Sequence, residues 1–228
     1  MNEAKRNECM LDPFVGLPGP FSVVYADPPW TYYGDPNKDQ ACGKHYACMT
    51  DADLVALPVR DICAARAVVF LWATCPRLDA GIRLLQAWGL HYRGVPFVWV
   101  KTRKDGGIIG GQGIRPTLTK PTVEMVLAGC TTAKGRTLPI LDEGMPQVVL
   151  APRGRHSAKP AEVRDRIVRL MGDVPRVELF ARERVQGWEA WGNEVEANAC
   201  VAKARAAIDG TDSGSPTAVA YYSERAET

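Results

Sequence analysis

The residues best suited to chemistry follow an apolar segment near the start of the chain, where residues 22–30 read SVVYADPPW. Proline cannot extend a central strand, so Pro28 must turn the chain where a strand ends. In an open α/β sheet, ligands bind at the carboxyl ends of the strands. We therefore expect Asp27 at the mouth of a ligand pocket, with the Pro28 carbonyl beside it and Trp30 close by. The residues alone leave a second interpretation open, in which Asp27 is a turn residue and Trp30 a core residue.

Six short segments rich in β-branched and aromatic residues predict the strands that position this motif. They are residues 22–26, 67–73, 95–101, 123–129, 147–151 and 176–181. Most are continuous apolar runs, which are typical of strands buried on both faces. Helical patterns lie between them, at residues 50–57, 78–88 and 161–171. Thr50 and Asp53 suit the start of the first helix, and Pro160 and Gly172 bound the last one. This alternation predicts an α/β fold, a three-layer sandwich around one sheet.

The composition is that of an ordinary globular chain. Of 228 residues, 46% are hydrophobic and 24% are charged, and the formal net charge is +2. The apolar runs are shorter than the roughly 18 residues that a membrane-spanning helix needs. The first residues lack the basic and then apolar pattern of a secretory signal. We therefore expect a cytoplasmic protein without a membrane partner.

The cysteines give no support for a disulfide framework or a metal site. There are seven of them, and no pair has the Cys-x-x-Cys spacing, which fits reduced thiols in a reducing compartment. Cys42, His45 and Cys48 have a suggestive spacing but offer three ligands, whereas a structural zinc site needs four. The sequence therefore predicts no bound metal.

Further motifs follow the Asp27 motif in order along the chain. They are His45-Tyr46 with Met49, VVFLWAT from Val68, LLQAWGL from Leu84, FVWVKT from Phe97, a Gly-rich stretch before Glu124, HSAKP from His156, ELFAR from Glu178 and GWEAWGNE from Gly187. With this series the chain resembles the amino methyltransferases that use S-adenosylmethionine to methylate the exocyclic amine of adenine. More narrowly, it is similar to the family of the eukaryotic mRNA adenosine methyltransferase catalytic subunit and its small bacterial and prophage members.

The resemblance implies a domain plan as well as an activity. It covers about residues 20–195, for which it implies a Rossmann-like S-adenosylmethionine-dependent methyltransferase fold with a mostly parallel central sheet. Residues 1–19 are then an N-terminal leader. Residues 196–228 are expected to form a C-terminal helix, at residues 197–208, and a flexible tail that includes DGTDSGSP.

The resemblance also implies that Asp27, Pro28, Pro29 and Trp30 form the catalytic motif. The adenine amine is a poor nucleophile because its lone pair is delocalised into the ring. The Asp27 carboxylate and the Pro28 carbonyl can each accept one of its N–H groups, so that the lone pair faces the methyl group. An aromatic side chain should stack on the adenine, which must be flipped out of a duplex. We expect Trp30 and Tyr46 in this role, with His45 also in the substrate site.

Cofactor binding is expected in the second half of the chain. The resemblance assigns Lys159 to the methionine carboxylate of S-adenosylmethionine. It assigns Arg182, Asn193 and Glu194 to the ribose hydroxyls and the groups around them, and Asp27 also belongs to the cofactor site. Glu194 stands where many relatives have Gln, and a carboxylate can equally accept a hydrogen bond from a hydroxyl.

Two long polar segments without periodicity, residues 31–49 and 103–122, read as functional loops. Residues 101–120 carry five basic side chains against Asp105, which predicts contact with the phosphates of a nucleic acid. A surface loop without such a role is the alternative. The resemblance allows a homodimer or a heterodimer.

Several functions fit this resemblance. Methylation of adenine in DNA leads, because the small single-domain members of the family are expected to act on DNA, and adenine in RNA is the nearest rival. A catalytically silent nucleic-acid-binding subunit is a third interpretation, against which the intact Asp27 motif, Lys159 and Asn193 count. Methylation of a cytosine amine is a fourth, but those enzymes usually have Ser in place of the Asp.

Overall fold

The strand that leads into Asp27 lies in the interior of a mixed sheet. A computed structural model describes residues 13–30, 49–110, 118–154 and 158–195. Within these ranges the strands are β1 (Phe21–Ala26), β2 (Cys63–Thr74), β3 (His91–Tyr92), β4 (Phe97–Thr102), β5 (Val123–Cys130), β6 (Val148–Pro152), β7 (Arg176–Leu179) and β8 (Glu189–Trp191). They form one sheet in the order β6-β4-β5-β2-β1-β7-β8, and β3 pairs with β5 outside this row.

The sheet is mostly parallel, as predicted. Strand β1 pairs in parallel with β2 and β7, β7 with β8, and β4 with β6. Strand β5 runs antiparallel to β2, β3 and β4. Because β1 has a partner on each side and a packed layer on each face, all of its residues except Ser22 are buried. This explains the unbroken apolar run in the sequence.

Helices cover both faces of the sheet, which confirms the three-layer sandwich. The described helices are α1 (Asp51–Ala56), α2 (Leu78–Ala87) and α3 (Ala161–Met171). On one face, Leu54 of α1 and Leu85 of α2 share an apolar core with Val24 of β1. On the other face, Ile167 of α3 packs in a second core with Tyr25. Helix α3 has the predicted bounds because Gly172, at φ 79°, takes a backbone conformation that ends the helix.

The start of α1 shows why the predicted cap forms. The Thr50 side chain accepts a hydrogen bond from the Asp53 backbone N–H at 3.2 Å. In return, the Asp53 carboxylate accepts from the Thr50 backbone N–H at 3.1 Å. This reciprocal capping box satisfies two backbone donors and fixes the residue at which α1 begins.

The structure departs from the sequence prediction at the start of β2, at the end of β7 and at two short strands. Strand β2 begins at Cys63, four residues before its predicted start. The strand predicted to reach residue 181 ends at Leu179, because Phe180 adopts a left-handed backbone with φ 61°. Strands β3 and β8, of two and three residues, were not predicted, since neither is long enough to show an alternating pattern. The helix predicted for residues 197–208 lies outside the described residues.

Part of the segment expected as an N-terminal leader contributes to the core. Phe14 is 2% exposed, and its ring meets that of Trp191 edge-on at 5.0 Å. The Trp191 indole N–H donates to the Pro13 carbonyl oxygen at 2.7 Å. These contacts join β8 to the segment that precedes β1. Among the described residues, the helices are too short or too polar to cross a bilayer.

Candidate active site

A cleft opens at the carboxyl ends of β1, β2, β7 and β8, where the sequence predicted a ligand site. Its lining consists of Asp27, Pro28, Pro29, Trp30, Met49, Trp72, Ala73, Thr74, Glu124, Lys159, Phe180, Ala181, Arg182, Trp191, Gly192, Asn193 and Glu194. The Asp27 motif and the four residues expected to bind cofactor in the second half of the chain all line this cleft. The fold thus brings together side chains that lie far apart in the sequence.

Four side chains of alternating charge form a connected series, of which Asp27, Glu124 and Lys159 line the cleft. The Lys159 ammonium lies 2.8 Å from the Asp27 carboxylate oxygens and 3.3 Å from Glu124 Oε2. The other Glu124 oxygen lies 2.5 Å from Nζ of Lys101. Each side chain is at most 20% exposed. The charges of this Lys101–Glu124–Lys159–Asp27 chain balance, which makes its burial tolerable.

Burial and the alternation of charge set the protonation of the Lys101–Glu124–Lys159–Asp27 chain. Burial raises the pKa of Asp27 above its usual range, and the Lys159 ammonium offsets only part of that effect. Burial acts in the same direction on Glu124, but Lys159 and Lys101 outweigh it and hold the pKa of Glu124 below its usual range. Burial would lower the pKa of Lys159, and the carboxylates of Asp27 and Glu124 more than reverse this. Lys159 therefore stays charged, and Asp27 takes up a proton more readily than Glu124 does.

The rings of two tryptophans lie against the two lysines of the Lys101–Glu124–Lys159–Asp27 chain. Nζ of Lys159 lies 5.4 Å from the ring centre of Trp72, and Nζ of Lys101 lies 5.1 Å from that of Trp99. The two rings meet edge-on at 6.1 Å. The Trp72 indole N–H is itself held by the Tyr25 hydroxyl at 2.5 Å. The negative ring faces favour the ammonium groups and limit where they can go.

The turn after Asp27 is fixed by its own backbone hydrogen bonds. The Trp30 N–H donates to the Pro28 carbonyl oxygen at 2.8 Å, and the Met49 N–H donates to the Pro29 carbonyl oxygen at 3.3 Å. A carbonyl oxygen has two lone pairs, so that of Pro28 can accept one further N–H. The turn therefore presents an acceptor beside the Asp27 carboxylate.

Trp30 lines the cleft, but most of its ring is packed in the protein. The residue is 7% exposed, and its indole N–H donates to the Trp72 carbonyl oxygen at 3.1 Å. The Arg77 guanidinium covers one ring face, with its carbon 5.2 Å from the ring centre. Trp30 thus offers little ring surface for stacking on a base, and its expected stacking role stays a prediction.

The remaining substrate and metal predictions fall outside the described residues. His45 and Tyr46 lie there, as do Cys42 and Cys48. Within the described ranges, no three His, Cys, Asp or Glu side chains lie close enough together to hold a metal ion.

Another part of the cleft is built where β7 and β8 end. The left-handed Phe180 turns the chain there, and its ring meets that of Trp191 at 5.4 Å. A Cβ atom on Gly192 would lie 2.7 Å from the Ala181 backbone nitrogen, so glycine is needed for the two segments to pass. Nε of Arg182 lies 3.7 Å from Glu194 Oε1 across this crossing. We call this close backbone crossing of Gly192 and Ala181 the Gly192 cradle; the polar side chains of Arg182 and Glu194 lie beside it.

Glu124 and Trp72 are site residues to which the sequence analysis assigned no role. Glu124 is an acid inside the apolar strand VEMVLAGC, and a buried acid requires a partner. That signal was available in the sequence. The partners were not, because Lys101 and Lys159 reach Glu124 from distant segments. Trp72 gave no signal, since a tryptophan in an apolar strand is usually a core residue.

Comparison with known proteins adds an independent finding. The MT-A70 family model matches residues 21–194. The type II methyltransferase M.MunI of Mycoplasma sp is 31% identical over 196 residues, which are 78% of this chain and 79% of that protein. The N(6)-adenosine-methyltransferase MT-A70-like protein of Arabidopsis thaliana is 29% identical over 199 residues, 86% of this chain and 27% of that protein. The human N(6)-adenosine-methyltransferase catalytic subunit METTL3 is 28% identical over 185 residues, 80% of this chain and 29% of that protein.

Proposed function

We propose a function for this chain, which belongs to the MT-A70 family of N6-adenine methyltransferases. We infer that it transfers the methyl group of S-adenosylmethionine to the N6 amine of adenine in DNA. The observation that carries this proposal is the pair of acceptors at one end of the cleft, the Asp27 carboxylate and the adjoining Pro28 carbonyl oxygen. Such a pair suits a planar NH2 group, which offers two N–H donors.

Asp27 and Pro28 would act by orientation. Each accepts one N–H of the adenine amine, which favours a more tetrahedral nitrogen whose lone pair points into the cleft. The amine gives up one proton when it gains a methyl group. The Asp27 carboxylate can accept that proton at an Oδ atom, because burial has raised its pKa. The site thus needs no covalent bond between protein and substrate.

The cleft also fits the expected cofactor by the chemistry of its side chains. When bound, S-adenosylmethionine supplies an electrophilic methyl group on a sulfonium. Lys159 offers an ammonium for the methionine carboxylate, while Asn193, Glu194 and Arg182 offer an amide, a carboxylate and a guanidinium for ribose hydroxyls. Gly192 and Ala181, whose backbones approach closely where β7 and β8 end, line the cleft beside these side chains.

Lys159 would change partners when the cofactor binds. In the structure its ammonium is paired with Asp27 at 2.8 Å. A bound carboxylate would compete for this ammonium, and Asp27 would then be available to the adenine amine. Glu124, held by Lys101 on its other side, keeps Lys159 anchored and charged during this exchange.

We favour DNA over RNA because the similarity covers more of the bacterial relative than of the eukaryotic ones. The chain spans 79% of the type II methyltransferase M.MunI but between a quarter and a third of the adenosine methyltransferases of Arabidopsis thaliana and Homo sapiens. Adenine in RNA is the second candidate, because these eukaryotic relatives are named for adenosine.

The test is transfer of labelled methyl from S-adenosylmethionine to matched DNA and RNA oligonucleotides, single-stranded and duplex, followed by nucleoside analysis. We expect labelled N6-methyldeoxyadenosine. Label in RNA alone would shift the function to the second candidate. Label in neither, with S-adenosylmethionine bound, would contradict the proposed function.

A further inference from the structure

Arg77 is a buried cation beside the cleft to which the proposed reaction gives no task. It is 2% exposed and ends the short 3₁₀ helix (Cys75–Arg77) that follows β2. Its guanidinium forms an ion pair with the Asp51 carboxylate and covers one face of the Trp30 ring. Withdrawing an arginine from water is costly, so a buried arginine at this point of the fold requires a reason.

Asp51 and Trp30, both of which Arg77 contacts, stand on either side of residues 31–48 in the sequence. Trp30 ends the turn that contains Asp27, and Asp51 is the first residue of α1. The segment that ends at Trp30 and the segment that starts at Met49 are in direct contact. Met49 forms a β-bridge with Trp30 and donates its N–H to the Pro29 carbonyl oxygen. Arg77 therefore ties the catalytic turn to the start of α1.

Two contacts of the Trp30 ring come from one continuous segment of the chain. Its indole N–H bonds to the carbonyl of Trp72 in β2, and its face lies against Arg77, five residues further along. The backbone N–H of Trp30 in turn donates to the Pro28 carbonyl oxygen. A shift of the Trp30 ring would thus move the carbonyl that is proposed to accept an N–H of the adenine amine.

We propose that Arg77 is a positioning residue, which acts through Trp30 to aim the Pro28 carbonyl and the Asp27 carboxylate. This inference rests on the proposed function. The planar guanidinium can lie on the indole face while its nitrogens bond to Asp51. An ammonium on a flexible stem cannot make both contacts in the same way, and an apolar side chain makes neither.

A purely structural role predicts a different outcome for the same substitution. The Asp51 side chain is 51% exposed, so removal of Arg77 leaves no buried, unpaired carboxylate. Under a purely structural role, any loss of turnover in Arg77→Met should therefore be no larger than its loss of folded protein.

The experiment compares Arg77→Met and Arg77→Lys with the wild type and with Arg83→Met. Arg83 lies on α2, is 61% exposed and pairs with Asp79, so it is a matched control away from the cleft. Four quantities are measured: kcat and the KM for S-adenosylmethionine, both at saturating DNA, thermal unfolding, and hydrogen exchange at the Trp30 and Met49 amides.

We expect Arg77→Met to stay folded while kcat falls by about tenfold or more, since small errors in the position of reacting groups reduce turnover strongly. The KM for S-adenosylmethionine should stay within about twofold, because Lys159 and the Gly192 cradle are untouched. Exchange at the Trp30 and Met49 amides should become faster. Arg77→Lys should lie between Met and the wild type, and Arg83→Met should match the wild type.

Wild-type kcat in Arg77→Met, or a loss of kcat no larger than the loss of folded protein, would overturn the proposal. If Arg77→Met fails to fold, Arg77→Lys tests the proposal instead. Wild-type kcat in Arg77→Lys would then overturn the positioning role of Arg77. If the wild type methylates no oligonucleotide, the proposed function fails. The exchange rates then still test whether Arg77 holds the turn, and unchanged rates at Trp30 and Met49 would refute it.

Discussion

The Lys159 ammonium lies 2.8 Å from the carboxylate of Asp27, although the two residues are 132 positions apart in the sequence. One contact thus joins the motif at the end of β1 to the segment that enters α3. It also joins the residue proposed to hold the adenine amine to the residue proposed to hold the cofactor.

Replacing Lys159 by Met should weaken the binding of S-adenosylmethionine much more than that of DNA. The ammonium is the proposed partner of the methionine carboxylate, and losing a charge-assisted contact of this kind costs about 1.5–3 kcal/mol, or roughly ten- to a hundredfold in Kd. Calorimetry with each ligand measures both affinities. A larger loss for DNA than for the cofactor would refute the assignment.

The same Lys159→Met variant should move the acidic limb of the pH–rate profile to higher pH. Burial raises the pKa of Asp27, and Lys159 acts in the opposite direction. Without Lys159 the pKa of Asp27 rises further, so that the carboxylate is protonated, and lost as an acceptor, at a higher pH. The profile is that of kcat/KM for S-adenosylmethionine, which reports the protein before the cofactor binds, when Lys159 is paired with Asp27. An unmoved limb, or one shifted to lower pH, would show that Asp27 does not control it.

Replacing Glu124 by Gln should destabilise the protein at neutral pH. The pKa of Glu124 is lowered in the folded state, so its charge stabilises the fold above its ordinary value of 4.5, and this contribution is lost as the pH falls through the lowered pKa. Removing one member of a buried charge cluster typically costs about 3–5 kcal/mol. Denaturant unfolding at pH 7 and pH 4 measures the effect, which should shrink at the lower pH. Asp79→Asn, in an exposed pair, is the control; an equal effect of both variants would contradict a buried role for Glu124.

Replacing Gly192 by Ala should impair cofactor binding. The added Cβ would meet the Ala181 backbone nitrogen at 2.7 Å, and backbone atoms cannot move aside as the end of a side chain can. The crossing of the two segments must then open, which displaces Asn193 and Glu194. We expect a loss of about tenfold or more in affinity for S-adenosylmethionine, in line with the cost of overpacking. At Gly144 the nearest atom to an added Cβ is a side-chain oxygen at 3.6 Å, so Gly144→Ala is the matched control. Equal affinity in the two variants would contradict the proposed cradle.

The parts of the fold that local sequence determines were predictable. The apolar run of β1 and the caps of α1 and α3 depend on neighbouring residues, and the structure has these elements close to their predicted positions. The role of Glu124 depends on two lysines that only the folded chain brings to it. The left-handed Phe180 was equally hidden, because nothing in its neighbours requires that conformation. The candidate site was thus predictable as a set of motifs, whereas its charge chain required the structure.

Methyl transfer by Asp27→Asn tests the central claim most directly. The substitution keeps the size of the side chain and one acceptor oxygen. It removes the negative charge, so that the side chain can no longer take up the proton. Turnover on an adenine-containing DNA duplex is measured together with the affinities for S-adenosylmethionine and DNA, and Asp165→Asn, on the exposed face of α3, is the control. We predict a loss of about a hundredfold or more in kcat, comparable to removing an oriented group that stabilises the transition state, with a folded protein that still binds DNA. Wild-type turnover in the folded Asp27→Asn variant would contradict the account.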